Sequence, residues 1–154
     1  MERKLEALLE DHPFLINFPK RYLSLMAGCA KNVRFATGRF LHREGEPSDA
    51  FFLLRRGRVA IEIHVPNRSP LTVQTLEAGD MLGWSWLTPP HRWRFDARAV
   101  EDVTAFALDG ACLRGKCEAD HELGYQLSKR VLACVAQRLD ATRLQLLDLY
   151  GLQP

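Results

Sequence analysis

The 154-residue chain has no strong charge of either sign, since 21 lysines and arginines meet 19 acidic residues for a formal net charge of +2. A balance this mild leaves no electrostatic footprint for nucleic acid. No run approaches the roughly 20 consecutive apolar residues of a membrane span. The amino terminus, "MERKLEALLEDHPF", carries acidic residues where a secretory signal would have its apolar stretch. The expected location is therefore the cytoplasm, with no membrane partner. Cys29, Cys112, Cys117 and Cys134 form no Cys-x-x-Cys pair, and the five histidines supply no His-x-His. The expectation is reduced, mostly buried thiols and no metal centre. A nucleophile elbow, a Walker loop and a paired-carboxylate motif in believable context are also missing, so the chain is not expected to be an enzyme.

What is present is an ordinary folded composition, 47% hydrophobic and 26% charged, over about one domain's length. The chain reads as a single domain, residues 1–154, in three zones without a linker between them. In residues 1–30, Leu5, Leu8 and Leu9, then Tyr22, Leu23, Leu25 and Met26, recur at helical intervals, and Pro13 and Pro19 split them into two short helices. Over residues 31–109 the period changes to two. The strands expected are "NVRFA", "RFLHRE", "AFFLLRR", "RVAIEIHV", "LTVQTLE", "DARAV" and "VTAFALD", punctuated by turns at Gly38, "EGEPSD", Gly57, "PNRSP" and "EAGD". Short strands at that spacing imply an antiparallel sandwich or barrel.

Residues 110–150 are helical, a short piece giving way near "EADHELG" to one long helix. Along it Leu132, Val135, Leu139, Thr142, Leu146 and Leu149 alternate at intervals of three and four, the spacing of a heptad seam. Such a stripe can lie on its own barrel or pack against a copy of itself. Its narrowness and its charged flanks, Lys129, Arg130, Arg138, Asp140, Arg143 and Asp148, favour a homodimer.

All three tryptophans fall within "LGWSWLTPPHRWRFDARA", interleaved with His91, Arg92, Arg94 and Arg98. The stretches "GRFLHREGEPSDAFFLLRRGRVAIEI", "LEAGDMLGWSWL" and "ARAVEDVTAFALD" together resemble the cyclic nucleotide-binding domain of the catabolite activator protein superfamily. Gly38, Gly45, Gly57, Gly79 and Gly83 match its turn pattern, and "HPFL" resembles its helical lead-in. The resemblance runs from about Pro13 to Tyr150. It implies a mainly β fold with flanking helices: an antiparallel β jelly roll, a cyclic nucleotide-binding-like barrel with N-terminal helices and a long C-terminal helix. It also implies that function lies in the phosphate-binding cassette around Gly83. There the family places a glutamate on the ribose hydroxyl and, further on, an arginine on the cyclic phosphate, a sound anion site beside a helix amino terminus.

This chain departs from that pattern at both positions. Trp84 stands where the glutamate would, with Ser85 and Trp86 behind it, and the arginine column falls on Trp93, between Arg92 and Arg94. A one-residue shift on a strand turns a side chain to the other face, so which arginine reaches the pocket stays open. A tryptophan removes the acceptor and fills the sugar's volume, so cyclic AMP is expected to bind weakly or not at all.

Two readings remain. In one, Gly83, Trp84, Ser85, Trp86, Arg92, Trp93 and Arg94 form a remodelled site for a cyclic nucleotide or another small phosphate or carboxylate anion. In the other the tryptophans close the cavity, leaving a ligand-free dimerisation or docking module. A cupin-like metal enzyme is a minor third, suggested by His42 and Glu46 but lacking further converging histidines. The chain ends four residues past Tyr150, so direct DNA binding through a helix-turn-helix domain is not expected, and the output would be an effector protein of unknown identity.

Overall fold

The computed structural model describes residues 2–151, so residue 1 and residues 152–154 of the expected domain lie outside the described residues. Helix α1 (Glu2–Glu10), a 3-10 turn at Pro13–Leu15 and α2 (Lys20–Ala27) precede the strands β1 (Ala30–Phe35), β2 (Phe40–His42), β3 (Ala50–Arg56) and β4 (Arg58–Ile63). Next come β5 (Leu71–Glu77), β6 (Met81–Leu82), β7 (Asp96–Ala99) and β8 (Val103–Asp109), then α3 (Gly110–Ala119) and α4 (His121–Leu149). The strands form two antiparallel four-stranded sheets, ordered β1-β8-β3-β6 and β2-β7-β4-β5. This is the jelly roll the glycine and strand pattern implied.

The first sheet is buried on both faces, which explains why β3 and β8 read as apolar runs without strict alternation. Phe51, Leu53, Phe106 and Leu108 face outward into a core shared with Leu9, Phe14, Leu15, Tyr22, Met26, Leu113, Leu123 and Leu127 of the helices. Phe52, Leu54, Val103, Ala105 and Ala107 face inward, onto Val59, Ile61, Leu76 and Ala97 of the second sheet. Each large buried apolar side chain contributes about 1.5–3 kcal/mol, so the two layers stabilise the fold from both sides of one sheet. His12 joins the layers from the N-terminal segment. Its Nδ1 accepts from the Phe14 amide at 3.1 Å, and its Nε2 lies 2.9 Å from the Leu54 carbonyl. With Nδ1 as acceptor, Nε2 carries the proton and donates.

Gly57 makes the β3–β4 turn at φ +90°, and a Cβ there would meet the Asp102 carbonyl oxygen at 2.2 Å. No other residue fits that turn without moving the β7–β8 connection. The break between α3 and α4 falls at Asp120, whose extended backbone interrupts the helix and whose carboxylate accepts from the Glu122 and Leu123 amides. It lies inside the "EADHELG" stretch, where the change of helix was expected. Gly124 itself serves close packing rather than flexibility, because a Cβ there would sit 3.3 Å from the Cys117 Cβ.

One expectation is corrected here. Two of the four cysteines are not free thiols: Cys29 and Cys112 form a disulfide across 83 residues, their Cα atoms 5.8 Å apart. The β1–β8 ladder brings them together, since Ala30 pairs with Leu108 and the Asp109 amide donates to the Cys29 carbonyl at 2.9 Å. Cys117 and Cys134 remain free and half-buried. Burial pushes both thiols up from their ordinary pKa, which keeps them protonated and poorly nucleophilic.

Candidate functional site

The cassette begins where β6 ends. Gly83 adopts φ +101°, and a Cβ on it would come within 2.6 Å of the Trp93 ring. The glycine is thus required twice, for its backbone angle and for the indole pressed against it. Trp93 is placed from the other side by a short pairing with the turn before β3. Its amide donates to the Glu46 carbonyl at 3.0 Å, its carbonyl accepts from the Gly45 amide at 2.8 Å, and Arg92 bridges to Pro47. That pairing sets the alternation: Trp93 turns inward, 7% exposed. Arg92 turns outward, where its guanidinium donates to the Gly45 carbonyl at 2.7 Å.

Trp93 packs flat on His42 of β2, ring centroids 3.6 Å apart and planes 3° from parallel. His42 is buried, and neither ring nitrogen has a well-aligned hydrogen-bond partner. Burial dominates its titration and lowers the pKa to about 4, against the opposing pull of the Phe95 backbone and the Asp96 carboxylate. The imidazole is therefore neutral near pH 7. Glu46, its companion in the cupin reading, instead accepts from the Arg43 amide at 2.8 Å within its own turn. Among the described residues no group of three histidine, cysteine or acidic side chains is placed to hold a metal ion.

A cavity of about 790 Å³ lies between the second sheet and α4. Of the seven residues expected to bind a ligand, Gly83, Trp84, Ser85, Trp93 and Arg94 line it. Trp86 and Arg92 do not, and the expectation for them is corrected. Trp86 is fully buried in the helix-side core, stacked on Phe51 with centroids 4.9 Å apart, and its backbone carbonyl accepts from Arg114. Two residues along a turn, unlike two along a strand, do not share a face, so Trp84 and Trp86 enter different cores. The question left open by the sequence has a geometric answer: Arg94, not Arg92, is at the cavity.

The roof of the cavity is the seam expected to form a dimer. Val135, Leu139, Thr142 and Leu149 line the cavity, whereas Leu132 and Leu146 do not and are 66% and 49% exposed. Arg138, absent from the sequence-derived site, also lines it. Its guanidinium is half-buried and donates to the Met81 carbonyl, and desolvation lowers its pKa from the usual arginine value. Its place in the heptad flank suggested only a solvated charge. The useful signal was its spacing of three and four from Val135 and Thr142, which puts it on their side of the helix.

A family model described as "Cyclic nucleotide-binding domain" matches residues 32–120. The chain belongs to that family, whose members are regulatory ligand-binding domains. A CRP-like cAMP-activated global transcriptional regulator from Mycobacterium tuberculosis is 28% identical over 117 residues, 76% of this chain and 50% of the relative. The chain thus spans about half the length of the curated relatives it matches. Among solved structures, a candidate cyclic nucleotide-binding protein from Geobacter metallireducens GS-15 superposes with TM-score 0.79 at 28% identity, covering 87% of this chain and 97% of the other. A cyclic nucleotide-binding domain from Methylobacillus flagellatus KT gives TM-score 0.78 at 16% identity, over 96% and 83% of the two chains, a likeness of fold alone. No described helix is long and apolar enough to cross a membrane.

The neutral, buried His42 has a measurable consequence. Its folded-state pKa lies below the unfolded value of 6.5, so its contribution to stability is complete above about pH 6.5 and is lost as pH falls toward 4. A lowering of that size corresponds to about 3 kcal/mol. His12, lowered in the same direction by burial, adds to the loss. Urea unfolding of the wild type at pH 7.5 and pH 5 should show the decline, and His42→Phe, which keeps the stacked ring, should flatten it. An unchanged pH slope in the variant would contradict a neutral His42.

Proposed function

We propose that the chain is a single, non-enzymatic regulatory domain that senses a small ligand in the cavity beneath α4, and that the ligand is not cyclic AMP held in the family's usual way. The carrying observation is the pair of tryptophans. Trp84 stands in the cavity wall where the resemblance puts a ribose-holding carboxylate. Trp93, packed on His42, fills the place of the phosphate-holding arginine. A cyclic nucleotide in the usual pose would lose one acceptor and one guanidinium and would meet two indoles. The docking-module reading is less well supported, because the tryptophans leave a cavity rather than a filled core. Signalling would pass to an effector protein.

We further propose that α4 pairs with α4 of a second copy. Leu132 and Leu146, two heptads apart on one side of α4, are 66% and 49% exposed, so the apolar seam reaches the surface beside the cavity. The helix then touches ligand on one flank and its twin on the other. A ligand that shifts α4 shifts the dimer seam with it.

Two measurements check these statements. Trp84→Glu should raise cyclic AMP affinity at least about tenfold over the wild type, the worth of one restored hydrogen bond to a charged group; an unchanged or weaker affinity in a folded variant would argue against the assignment. The double variant Leu132→Glu with Leu146→Glu, which leaves the cavity lining intact, should run as a monomer in light scattering where the wild type runs as a dimer. A wild-type monomer would contradict the pairing.

A further inference from the structure

The cavity has a definite chemical character. Ile61, Leu82, Trp84, Phe95, Val135 and Leu139 give it an apolar wall on both the sheet and the helix side. Two cations are among its lining residues, Arg94 from the segment after Trp93 and Arg138 from α4. Arg94 is exposed at the rim, and no ion pair joins it to a carboxylate among the described residues. Arg138 is half-buried, its hydrogen bond goes to an uncharged backbone carbonyl, and the Asp80 carboxylate acts on its charge from nearby. Desolvation still outweighs that attraction at Arg138, and a ligand bearing an anion offsets part of the cost. The single carboxylate of the lining, Asp148, sits near the end of α4 and is already engaged in an interaction of its own.

The remaining polar groups narrow the ligand further. The His42 nitrogens are shielded from solvent, so they offer the ligand no hydrogen bond without a rearrangement. Trp93 is 7% exposed, stacked on His42 with Phe52 nearby, centroids 6.4 Å apart, which leaves little of its ring for a base. With Trp84 in place of an acceptor, a sugar's hydroxyls would have to find their partners among Thr72, Gln74, Ser85, Thr142 and Gln145, which also line the cavity and carry no charge. The volume, about 790 Å³, is within the usual range of small-molecule sites.

Resting on the sensor reading above, we propose that this cavity binds a small carboxylate with a predominantly apolar body: the body lies against the sheet and α4, and the carboxylate meets Arg94 at the rim with Arg138 adding to the field. Neither arginine belongs to the family's anion position, which is occupied by Trp93. Recognition is by charge at one end and area at the other, so chain length and ring content tune affinity while the sign of the headgroup decides it.

The test uses the full chain with anilinonaphthalene sulfonate as fluorescent reporter and three ten-carbon competitors that differ only in headgroup: decanoate, decanol and decylamine. Decanoate should displace the reporter at least about tenfold more effectively than decanol, with decylamine weakest, a margin equal to one charge-assisted hydrogen bond. Arg94→Gln, a change at an exposed position, should remove that margin while leaving decanol unaltered. Equal displacement by all three competitors, no displacement by any, or an unchanged margin in Arg94→Gln would overturn the proposal. Cyclic AMP forms a separate arm. Displacement by micromolar cyclic AMP would overturn the exclusion of the family's nucleotide on which the proposal rests, whereas inert cyclic AMP together with inert decanoate would remove only the carboxylate assignment.

Discussion

The stacking of Trp93 on His42 is the contact on which the character of the site depends. The indole needs a glycine at position 83 because no Cβ fits beneath it, and it needs the 45–48 turn to hold its backbone in register. In exchange it gives the inner core a large buried ring in contact range of Phe52. The same contact keeps an imidazole neutral and buried, and leaves the two neighbouring arginines outside the inner core. One goes to a backbone carbonyl on the surface and the other to the cavity rim.

The rest of the molecule supports that site from a doubly buried sheet. Because β3 and β8 carry apolar residues on both faces, the inner layer that walls the cavity and the outer layer that seats α1, α2, α3 and the start of α4 are backed by the same strands. Leu123, Leu127 and Val131 anchor the first half of α4, and beyond Val131 its residues become half-buried or exposed. A helix fixed at one end and loosely covered at the other is suited to report on what lies beneath it. The break at Asp120 sets where that lever begins.

Much of this was legible in the sequence, and the gaps have physical causes. The bounds of β3, β5 and β8 follow from short apolar segments set off by turn residues, and the fold from the family resemblance that the glycines at 38, 45, 57, 79 and 83 help to carry. Strand β6 is two residues long, too short for any periodicity to show. The Cys29–Cys112 bond joins residues 83 apart, a proximity created by the β1–β8 ladder and carried by no local spacing. In the site, the inward turn of Trp93 followed from register, whereas the split of Trp84 and Trp86 between two cores depended on a turn whose geometry alternation does not describe. Arg138 was read as a solvated flank because heptad reasoning assigns faces relative to a partner helix, and here part of the facing surface is the protein's own barrel.

The central claim is that the tryptophan-altered cassette no longer takes the family's nucleotide in its usual pose. Isothermal titration of cyclic AMP into the purified wild-type chain tests it most directly. The account predicts no saturable heat at micromolar concentrations. A one-to-one isotherm with a micromolar or tighter Kd would contradict it.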